Sequence, residues 1–324
     1  MKATAIAPSN IALVKYWGKK DEKLKLPANG SLSINLSGLY TKTTVEFDTR
    51  LREDVVILNG TKSKRPLDRI ITHINLVRSM AKVPFFAKVV SENNFPIASG
   101  LASSASNFAA LSLAAATAAN LKLSQKELSI LARIGSGSAC RSIPDGFVEW
   151  LDGNTNDTSY AISLYPPDYW DLAIIAVVLS EKQKEITSTQ GQIHALKSPF
   201  FNNRIERIPL KIKKMKNAIK KKQFTILGEM IESEALELHA IALSSTPPII
   251  YWEPETVRLL KLVQTWRKAH LPVYFTIDAG PNIFLICQKQ DLDQLKKKLL
   301  DSGIKKYIVN VPSKGARIVS DHLF

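Results

Sequence analysis

A run of small residues that leads directly into an alanine-rich stretch constrains this chain more than any other feature. The run covers residues 96–106, Pro-Ile-Ala-Ser-Gly-Leu-Ala-Ser-Ser-Ala-Ser, and the helix-forming stretch covers residues 107–119. Small side chains let a ligand approach the backbone, and the first N–H groups of a helix have no partner within the helix. These free donors and the helix dipole favour a bound anion such as phosphate. The loop therefore predicts a nucleotide-phosphate site, but it does not by itself specify a reaction.

The length and composition are those of a globular protein with one or two domains. The chain has 324 residues, of which 45% are hydrophobic and 23% are charged. It contains no run of about 18 apolar residues, which a membrane-spanning helix needs. The N-terminal segment has too few apolar residues for a signal peptide, and two cysteines provide neither a disulfide framework nor a metal cluster. We therefore expect a cytoplasmic protein with no membrane partner.

The net charge of +15 is compatible with two classes of partner. A basic surface attracts polyanionic small molecules, and it also attracts nucleic acid. The chain shows no base-stacking motif, zinc knuckle or helix-turn-helix pattern. We therefore predict anionic small-molecule substrates and no nucleic acid. We interpret the lysine-rich run at residues 211–222 as a solvated helix face, whose role the sequence does not reveal.

The pattern of apolar residues changes near residue 183. Strand-like alternation dominates the first part, which also contains a helix introduced by a capping box, Ser124 with Glu127 three residues later. Helical patterns then prevail up to residue 269, and short strands return towards the end of the chain. This pattern predicts an α+β protein with domains at residues 1–183 and 184–324. No low-complexity linker separates them, so we expect the two domains to pack against each other.

Three further segments occur in order with the small-residue loop. They are NIALVKYWGK at residues 10–19, GSGSACRS at residues 135–142 and DAGPN at residues 278–282. Together the four segments closely resemble the mevalonate diphosphate decarboxylases, a branch of the superfamily that includes galactokinase, homoserine kinase and mevalonate kinase. The superfamily loop usually has the form Pro-x-x-x-Gly-Leu-Gly-Ser-Ser. Ala102 stands at its last glycine, as is common in the decarboxylase branch.

The resemblance implies a fold and a reaction. The fold would join an N-terminal α/β domain like ribosomal protein S5 to a ferredoxin-like C-terminal domain, with the active site between them. The reaction uses ATP to phosphorylate the 3-hydroxyl of mevalonate 5-diphosphate, and loss of phosphate and CO₂ then yields isopentenyl diphosphate for isoprenoid (lipid) biosynthesis. Mg²⁺ is expected to arrive with ATP, since no two of the five histidines have metal-ligand spacing. Family members are often homodimers, so we expect a homodimer.

The resemblance also assigns catalytic roles to individual residues. Asp278 matches the aspartate that orients or deprotonates the 3-hydroxyl, and its structural alternative is a turn cap before Gly280. Lys15 is expected near the transferring phosphoryl group, and its alternative is solvent exposure. Arg141 is expected to pair with the substrate carboxylate through its planar guanidinium, and its alternative is a structural ion pair. Ser104 matches the serine that faces the ATP phosphates or their Mg²⁺.

The other predicted site residues bind substrate and nucleotide. Asn10 is expected to position the substrate carboxylate. The residues expected at the diphosphate are Tyr16, Lys19, Ser136, Ser138, Ser188 and Thr189, and those expected at the ATP phosphates are Ser99, Gly100, Leu101, Ala102, Ser103 and Ser104. Simple structural alternatives exist: a plain turn for the serines beside Gly137, solvent exposure for Lys19, and a helix N-cap for Ser103. Some bacterial members carry arginine at the position of Thr189, so this phosphate contact stays open.

Three other functions are alternatives to diphosphate decarboxylation. A phosphomevalonate decarboxylase and a mevalonate 3-kinase-like enzyme would share the same motifs. A non-enzymatic anion binder on the same fold is a different class of protein. Asp278 disfavours the binder, because a negative charge beside bound phosphates weakens simple binding.

Overall fold

The computed structural model describes residues 1–62, 68–95, 103–182 and 184–324. Within these ranges the strands are β1 Lys2–Val14, β2 Lys19–Asp21, β3 Leu26–Pro27, β4 Ser31–Asp48, β5 Val55–Leu58, β6 Thr61–Lys62, β7 Phe86–Asn93, β8 Phe147–Trp150, β9 Ala161–Tyr165, β10 Leu172–Val177, β11 Val273–Ile277, β12 Ile283–Gln288, β13 Tyr307–Asn310 and β14 Arg317–Val319. The helices are α1 Asp68–Ala81, α2 Ser103–Ala118, α3 Gln125–Gly135, α4 Ser188–Ala195, α5 Phe201–Lys220, α6 Phe224–Leu243, α7 Pro254–Lys268 and α8 Leu292–Asp301. None of the helices in these ranges is both long and apolar enough to span a membrane.

The first domain is built on an eight-stranded sheet with the strand order β14-β1-β4-β7-β5-β6, and β8 and β9 continue it from β4. Strand β4 is long enough to pair with β8 through its first part and with β7 through its later part. Helices α1, α2 and α3 share one apolar core with this sheet. Helix α2 consists largely of alanine and serine and is buried on almost every side, as expected for a helix without a polar face. Its small side chains let it lie close to β1 and β4.

The second domain is built on a four-stranded antiparallel sheet with the order β11-β12-β10-β13. Along the chain the elements are β10, helices α4 to α7, β11, β12, α8 and β13. If α4 to α7 are taken as one helical connection, this is the β-α-β-β-α-β arrangement of ferredoxin-like domains. Helices α7 and α8 pack on one face of the sheet, and α5 and α6 pack on the other. The predicted two-domain α+β fold is therefore confirmed.

The sheets and the predicted domain limits do not coincide. Strand β10 precedes residue 183 but pairs with β12 and β13 in the second sheet. Strand β14, near the end of the chain, returns to the first sheet and pairs with β1. The boundary near residue 183 stays a prediction. The second sheet takes a strand from before this boundary, and the first sheet takes a strand from the end of the chain.

A shared apolar core joins the two domains. It contains Ile11 and Leu13 of β1, Ile174 of β10, and Leu227 and Ile231 of α6, and all five side chains are fully buried. Burial of apolar surface of this kind stabilises by roughly 25 cal/mol per Å² removed from water. The C-terminal end of β1 is therefore fixed against the second domain.

The lysine-rich run lies at the end of α5, and its interpretation as a solvated helix face holds for most of its lysines but not for all. Lys213 and Lys214 are exposed, as predicted. Lys211, however, pairs with Glu234 and Glu237 of α6, and Lys216 pairs with Glu149 of β8. The run therefore joins helices and sheet through ion pairs, which a single helical pattern does not reveal.

Candidate active site

The predicted site residues that lie in the described part of the chain all line one cleft of about 500 Å³ between the two domains. These residues are Asn10, Lys15, Tyr16, Lys19, Ser103, Ser104, Ser136, Ser138, Arg141, Ser188, Thr189 and Asp278. Ser99, Gly100, Leu101 and Ala102 lie outside the described residues. Residues that are more than 260 positions apart in the chain, such as Lys15 and Asp278, meet here.

Helix α2 presents its first turn to the cleft. It begins at Ser103, four residues ahead of the predicted helix-forming stretch. A polar network holds this start in place: Oγ1 of Thr41 in β4 lies 2.7 Å from Oγ of Ser106 and 2.6 Å from Oδ1 of Asn107, and the Asn93 amide of β7 donates to both Thr41 and Asn107 at 2.7 Å. The hydroxyl-bearing first turn is thus fixed to the sheet beside the cleft.

An ion pair between Lys15 and Asp278 lies in the cleft. Lys15 follows the last residue of β1, its side chain is only 2% exposed, and its Nζ lies 2.6 Å from Oδ1 of Asp278. The same ammonium donates to the carbonyl of Ala12 at 2.8 Å. Burial lowers the pKa of Lys15, and the neighbouring Asp278 opposes this shift. The solvent exposure considered for Lys15 is therefore wrong.

Asp278 follows β11 directly and keeps its carboxylate free for this pairing. The turn after it is closed by its main chain, because Gly280 donates its N–H to the Asp278 carbonyl at 2.8 Å. Its side chain is 24% exposed towards the cleft. The carboxylate therefore has both a fixed cationic partner and access to a ligand.

Arg141 is a buried cation whose partners are neutral. It lies in a short 3-10 turn, Gly137–Ser142, and is 3% exposed. Its guanidinium donates to Oδ1 of Asn10 at 3.2 Å and to Oγ of Ser31 at 2.8 Å, and it lies 5.7 Å from the ring centroid of Trp150. Within the described chain it is part of no ion pair, so the structural ion pair considered for it is not found. A buried charge without a counter-ion is costly, and an anionic ligand would relieve that cost.

Asn10 joins the side chain of Arg141 to two serines of the same 3-10 turn. Its side-chain amide donates to Oγ of Ser142 at 2.8 Å and to the Ser138 carbonyl at 3.2 Å, while its oxygen accepts from Arg141. With both ends of the amide engaged, the orientation of the guanidinium is fixed.

Tyr16 and the serines beside Gly137 form the wall next to Arg141. A Cβ on Gly137 would lie 2.7 Å from the Tyr16 ring, so only glycine permits this close approach. The Tyr16 ring packs against Trp150 at a centroid distance of 4.7 Å with the ring planes tilted by 60°, and its buried hydroxyl has no hydrogen-bond partner within the described part of the chain. Burial raises the pKa of Tyr16, so the phenol keeps its proton and can donate to a ligand oxygen. Ser136 is buried beside it.

Lys19 lies at the edge of the same wall. Its side chain is 6% exposed, and its Nζ lies 2.6 Å from Oε2 of Glu22, whose side chain is 60% exposed. The solvent exposure considered for Lys19 is therefore also wrong. Because Glu22 is open to water, an anionic ligand can compete for the ammonium at low cost.

The first turn of α4 carries Ser188 and Thr189 to the cleft. A complete capping box, Thr187 with Gln190, starts this helix. Thr189 is exposed, and Ser188 accepts a hydrogen bond at 2.9 Å from Lys184, a residue that the sequence analysis missed. Lys184 also donates to the Ala279 carbonyl, and burial lowers its pKa to about 8. A cation therefore lies beside Ser188, the neighbour of Thr189, the residue at which some bacterial members carry arginine.

Two more cations that the sequence did not predict, Lys25 and Arg69, line the cleft. Lys25 donates to the carbonyls of Ile134 and Gly135 at 2.7 and 2.9 Å, at the C-terminal end of α3, and burial lowers its pKa to about 8. Arg69 donates to the Gly135 carbonyl at 3.0 Å and lies over the ring of Phe108. Neither residue belongs to a motif segment, so the net positive charge of the chain was the one sequence signal that pointed to further cations in the site.

The cleft is strongly cationic. Among the described residues that line it, six are basic (Lys15, Lys19, Lys25, Arg69, Arg141 and Lys184) and two are acidic (Glu22 and Asp278). No cluster of three or more His, Cys, Asp or Glu side chains suited to a metal ion occurs in the described ranges. A two-domain α+β fold with a polyanion cleft beside the start of a buried helix is the architecture of small-molecule kinases and their relatives.

Comparison with known proteins narrows this class. The model for the diphosphomevalonate decarboxylase-like N-terminal domain matches residues 7–161, and the model for the mevalonate 5-diphosphate decarboxylase C-terminal domain matches residues 173–313. The chain belongs to the diphosphomevalonate decarboxylase family. It is 37% identical to the diphosphomevalonate decarboxylase of Candida albicans over 311 residues, which is 90% of this chain and 86% of that protein.

Solved structures agree with this assignment. The mevalonate diphosphate decarboxylase of Staphylococcus aureus superimposes with a TM-score of 0.94 at 41% identity over 98% of each chain. MDDEF, in complex with MVAPP, AMPPCP and magnesium, superimposes with a TM-score of 0.93 at 39% identity over 99% of each chain.

The lowered lysine pKa values predict an alkaline limit on activity. In the free protein Lys25 and Lys184 are charged below a pH of about 8 and neutral above it, so kcat/KM for anionic substrates should fall as the pH rises through that value. Initial rates measured from neutral to alkaline pH check this. In Lys184→Arg the guanidinium keeps its charge, and the part of the decline that Lys184 causes should disappear.

The matched control is Lys213→Arg on the exposed face of α5, which should leave the pH profile unchanged. An alkaline decline that is identical in the parent protein, in Lys184→Arg and in Lys25→Arg would contradict the role given to these lysines.

Proposed function

We propose that this chain uses ATP to decarboxylate mevalonate 5-diphosphate, forming isopentenyl diphosphate, ADP, phosphate and CO₂. The proposal is supported by family membership and by the complex of the similar MDDEF with MVAPP and the ATP analogue AMPPCP. The observation that carries it is the placement of two opposite charges in one cleft. Arg141 is a buried guanidinium that has no counter-ion among the described residues, and Asp278 is a carboxylate with a fixed ammonium partner.

The first step transfers a phosphoryl group to the 3-hydroxyl. Asp278 accepts the hydroxyl proton while the hydroxyl oxygen forms its bond to the γ-phosphorus of ATP, and the bond from that phosphorus to the bridging oxygen breaks with its electrons leaving on ADP. Lys15 places a positive charge beside the carboxylate and the transferring group. Positioning and electrostatic stabilisation supply most of the catalysis of such a transfer.

The second step breaks two bonds in the phosphorylated intermediate. The C3–O bond breaks with its electron pair leaving on phosphate, and the C1–C2 bond breaks to release CO₂, its electrons forming the C2–C3 double bond. Asp278 passes the proton that it accepted to an oxygen of the transferred phosphoryl group and becomes a carboxylate again. The carbon C3 becomes electron-poor as phosphate leaves, so the restored negative charge of Asp278 stabilises that transition state. Arg141 holds the carboxylate of the substrate until it departs.

The walls of the cleft provide the groups for the diphosphate and for MgATP. Tyr16 supplies a buried O–H donor, and Lys19 and Lys184 supply charge beside the serines. Lys184 takes over the cationic contribution that Thr189 lacks. The Ser104 hydroxyl in the first turn of α2 faces the ATP phosphates, where oxygen ligands suit the Mg²⁺ that accompanies them. The homodimer stays a prediction of the resemblance, and the cytoplasmic location stays a prediction of the composition.

The substrate assignment predicts a specific set of products. With ATP and mevalonate 5-diphosphate, mass detection should find isopentenyl diphosphate and CO₂ in step with ADP release. Mevalonate 5-phosphate should react more slowly, because the six cations of the cleft match the greater charge of the diphosphate. Equal or faster turnover of the monophosphate would favour the phosphomevalonate decarboxylase. A 3-phosphorylated product without CO₂ release would favour the 3-kinase.

The role of Asp278 predicts that Asp278→Asn lowers kcat by about 10²- to 10⁴-fold, the usual contribution of a general base. Binding of an ATP analogue, measured by calorimetry, should be largely retained, because the amide keeps the size of the side chain. Asp168→Asn, at an exposed position, is the matched control and should have normal activity. A fully active Asp278→Asn would refute the assignment.

The burial of Arg141 predicts opposite effects of Arg141→Gln on activity and on stability. The variant should lose at least about tenfold in kcat/KM, which is about 1.4 kcal/mol of lost substrate interaction. Thermal unfolding of the free protein should occur at the same or a higher temperature, because a buried charge without a counter-ion has been removed. Arg258→Gln on α7 serves as the exposed control. Unchanged kcat/KM would remove Arg141 from the site.

A further inference from the structure

A buried cluster of charged side chains lies behind the cleft, between α5 and α6. Arg204 of α5 and Glu234 of α6 form an ion pair, and both side chains are completely buried. Lys211 of α5 lies 2.8 Å from the second oxygen of Glu234 and also pairs with Glu237. Neither Arg204 nor Glu234 lines the cleft. The cluster therefore cannot contact a substrate held there.

The buried pair instead binds both main-chain polar groups of Lys15. Oε1 of Glu234 accepts the N–H of Lys15 at 3.1 Å, and Nη2 of Arg204 donates to the carbonyl of Lys15 at 3.0 Å. Asn29 completes the arrangement: its amide donates to the same carbonyl at 3.0 Å, and its oxygen accepts from Arg204 at 2.9 Å. Two helices of the second domain thus hold one residue of the first.

The position of Lys15 in the fold explains why it needs such partners. The pairing of β1 with β4 ends at Val14, after a register shift between Ala12 and Val14. Lys15 is therefore buried at a point where the ladder no longer satisfies its backbone, and unsatisfied buried N–H and C=O groups are costly. The side chains of Arg204 and Glu234 provide the hydrogen bonds that a neighbouring strand would otherwise make.

A gain in stability does not by itself explain why a buried ion pair holds the backbone of Lys15. Removing two charges from water costs about as much as their attraction returns, and well-packed apolar side chains of similar volume often stabilise as well or better. What an apolar pair cannot do is fix the direction of a backbone through hydrogen bonds. The direction matters here, because the Lys15 side chain has to reach Asp278 at 2.6 Å.

We propose that Arg204 and Glu234 are positioning residues that orient the Lys15 ammonium towards Asp278 from outside the cleft. The inference rests on the role proposed for Lys15 in phosphoryl transfer. It also gives the lysine-rich run a function at its first residue, since Lys211 neutralises the remaining oxygen of Glu234.

The test replaces the pair by apolar side chains in Arg204→Met/Glu234→Leu. We expect the unfolding temperature to fall, because the buried N–H of Lys15 loses its partner. Well below that temperature, KM for both substrates should change little and kcat should fall by about tenfold to a hundredfold, the size of effect that small misplacements cause. In Glu234→Gln the amide oxygen can still accept the Lys15 N–H, so this variant should keep much more activity. The matched control, Glu232→Gln, removes another partly buried acid of α6, which pairs with Arg267.

A double-mutant cycle with Lys15→Met separates positioning from simple structural support. If the pair acts through the Lys15 side chain, its replacement should cause almost no further loss of kcat once that side chain is gone. Additive losses, or a pair variant with normal kcat, would overturn the inference while leaving the role of Lys15 intact. A fully active Lys15→Met would overturn the role of Lys15 and the inference together.

Discussion

The contact between Lys15 and Asp278 is the interaction on which the arrangement of the site depends. It joins the end of β1 in the first domain to the end of β11 in the second, 263 residues apart. A shared apolar core under β1 brings these strand ends together, and a buried network from α5 and α6 holds the backbone of Lys15. Because both partners leave strands at fixed edges, the distance between them follows from the packing of two sheets. A shift of either domain would separate the two groups.

Most of the cationic side chains in the cleft donate hydrogen bonds to neutral groups rather than to carboxylates. Lys25, Arg69 and Lys184 donate to main-chain carbonyls, and Arg141 donates to an amide and a hydroxyl. Such neutral acceptors orient a cation and leave its charge available, whereas a carboxylate partner would have to be displaced by the substrate. The cost is visible in the lysines, whose pKa values burial lowers to about 8. A polyanionic substrate compensates that cost when it binds, and this makes the site selective for highly charged ligands.

Local signals in the sequence were reliable where a structure is decided by neighbouring residues. The capping box of Ser124 and Glu127 starts α3 as predicted, because its hydrogen bonds span only three residues. The described residues of the motif segments that the resemblance to a family assigned to the site lie in one cleft. Lys25, Arg69 and Lys184 were missed, because their importance comes from where the chain folds rather than from the residues beside them. The ion pairs of Lys211 in the lysine-rich run were not predicted for the same reason, since the acids that pair with it lie on another helix.

The sequence by itself determined the types of side chain available for the chemistry, the two-domain α+β fold and the family. These depend on local periodicity, helix capping and the order of the motifs, all of which can be seen in the amino-acid sequence. Only the tertiary structure decided that, within the described part of the chain, Arg141 is buried without an ion pair and the Tyr16 hydroxyl lacks a partner, and that Glu234 holds Lys15. Burial and hydrogen-bond partners arise from contacts between distant segments, and so they exist only once the two domains have packed together.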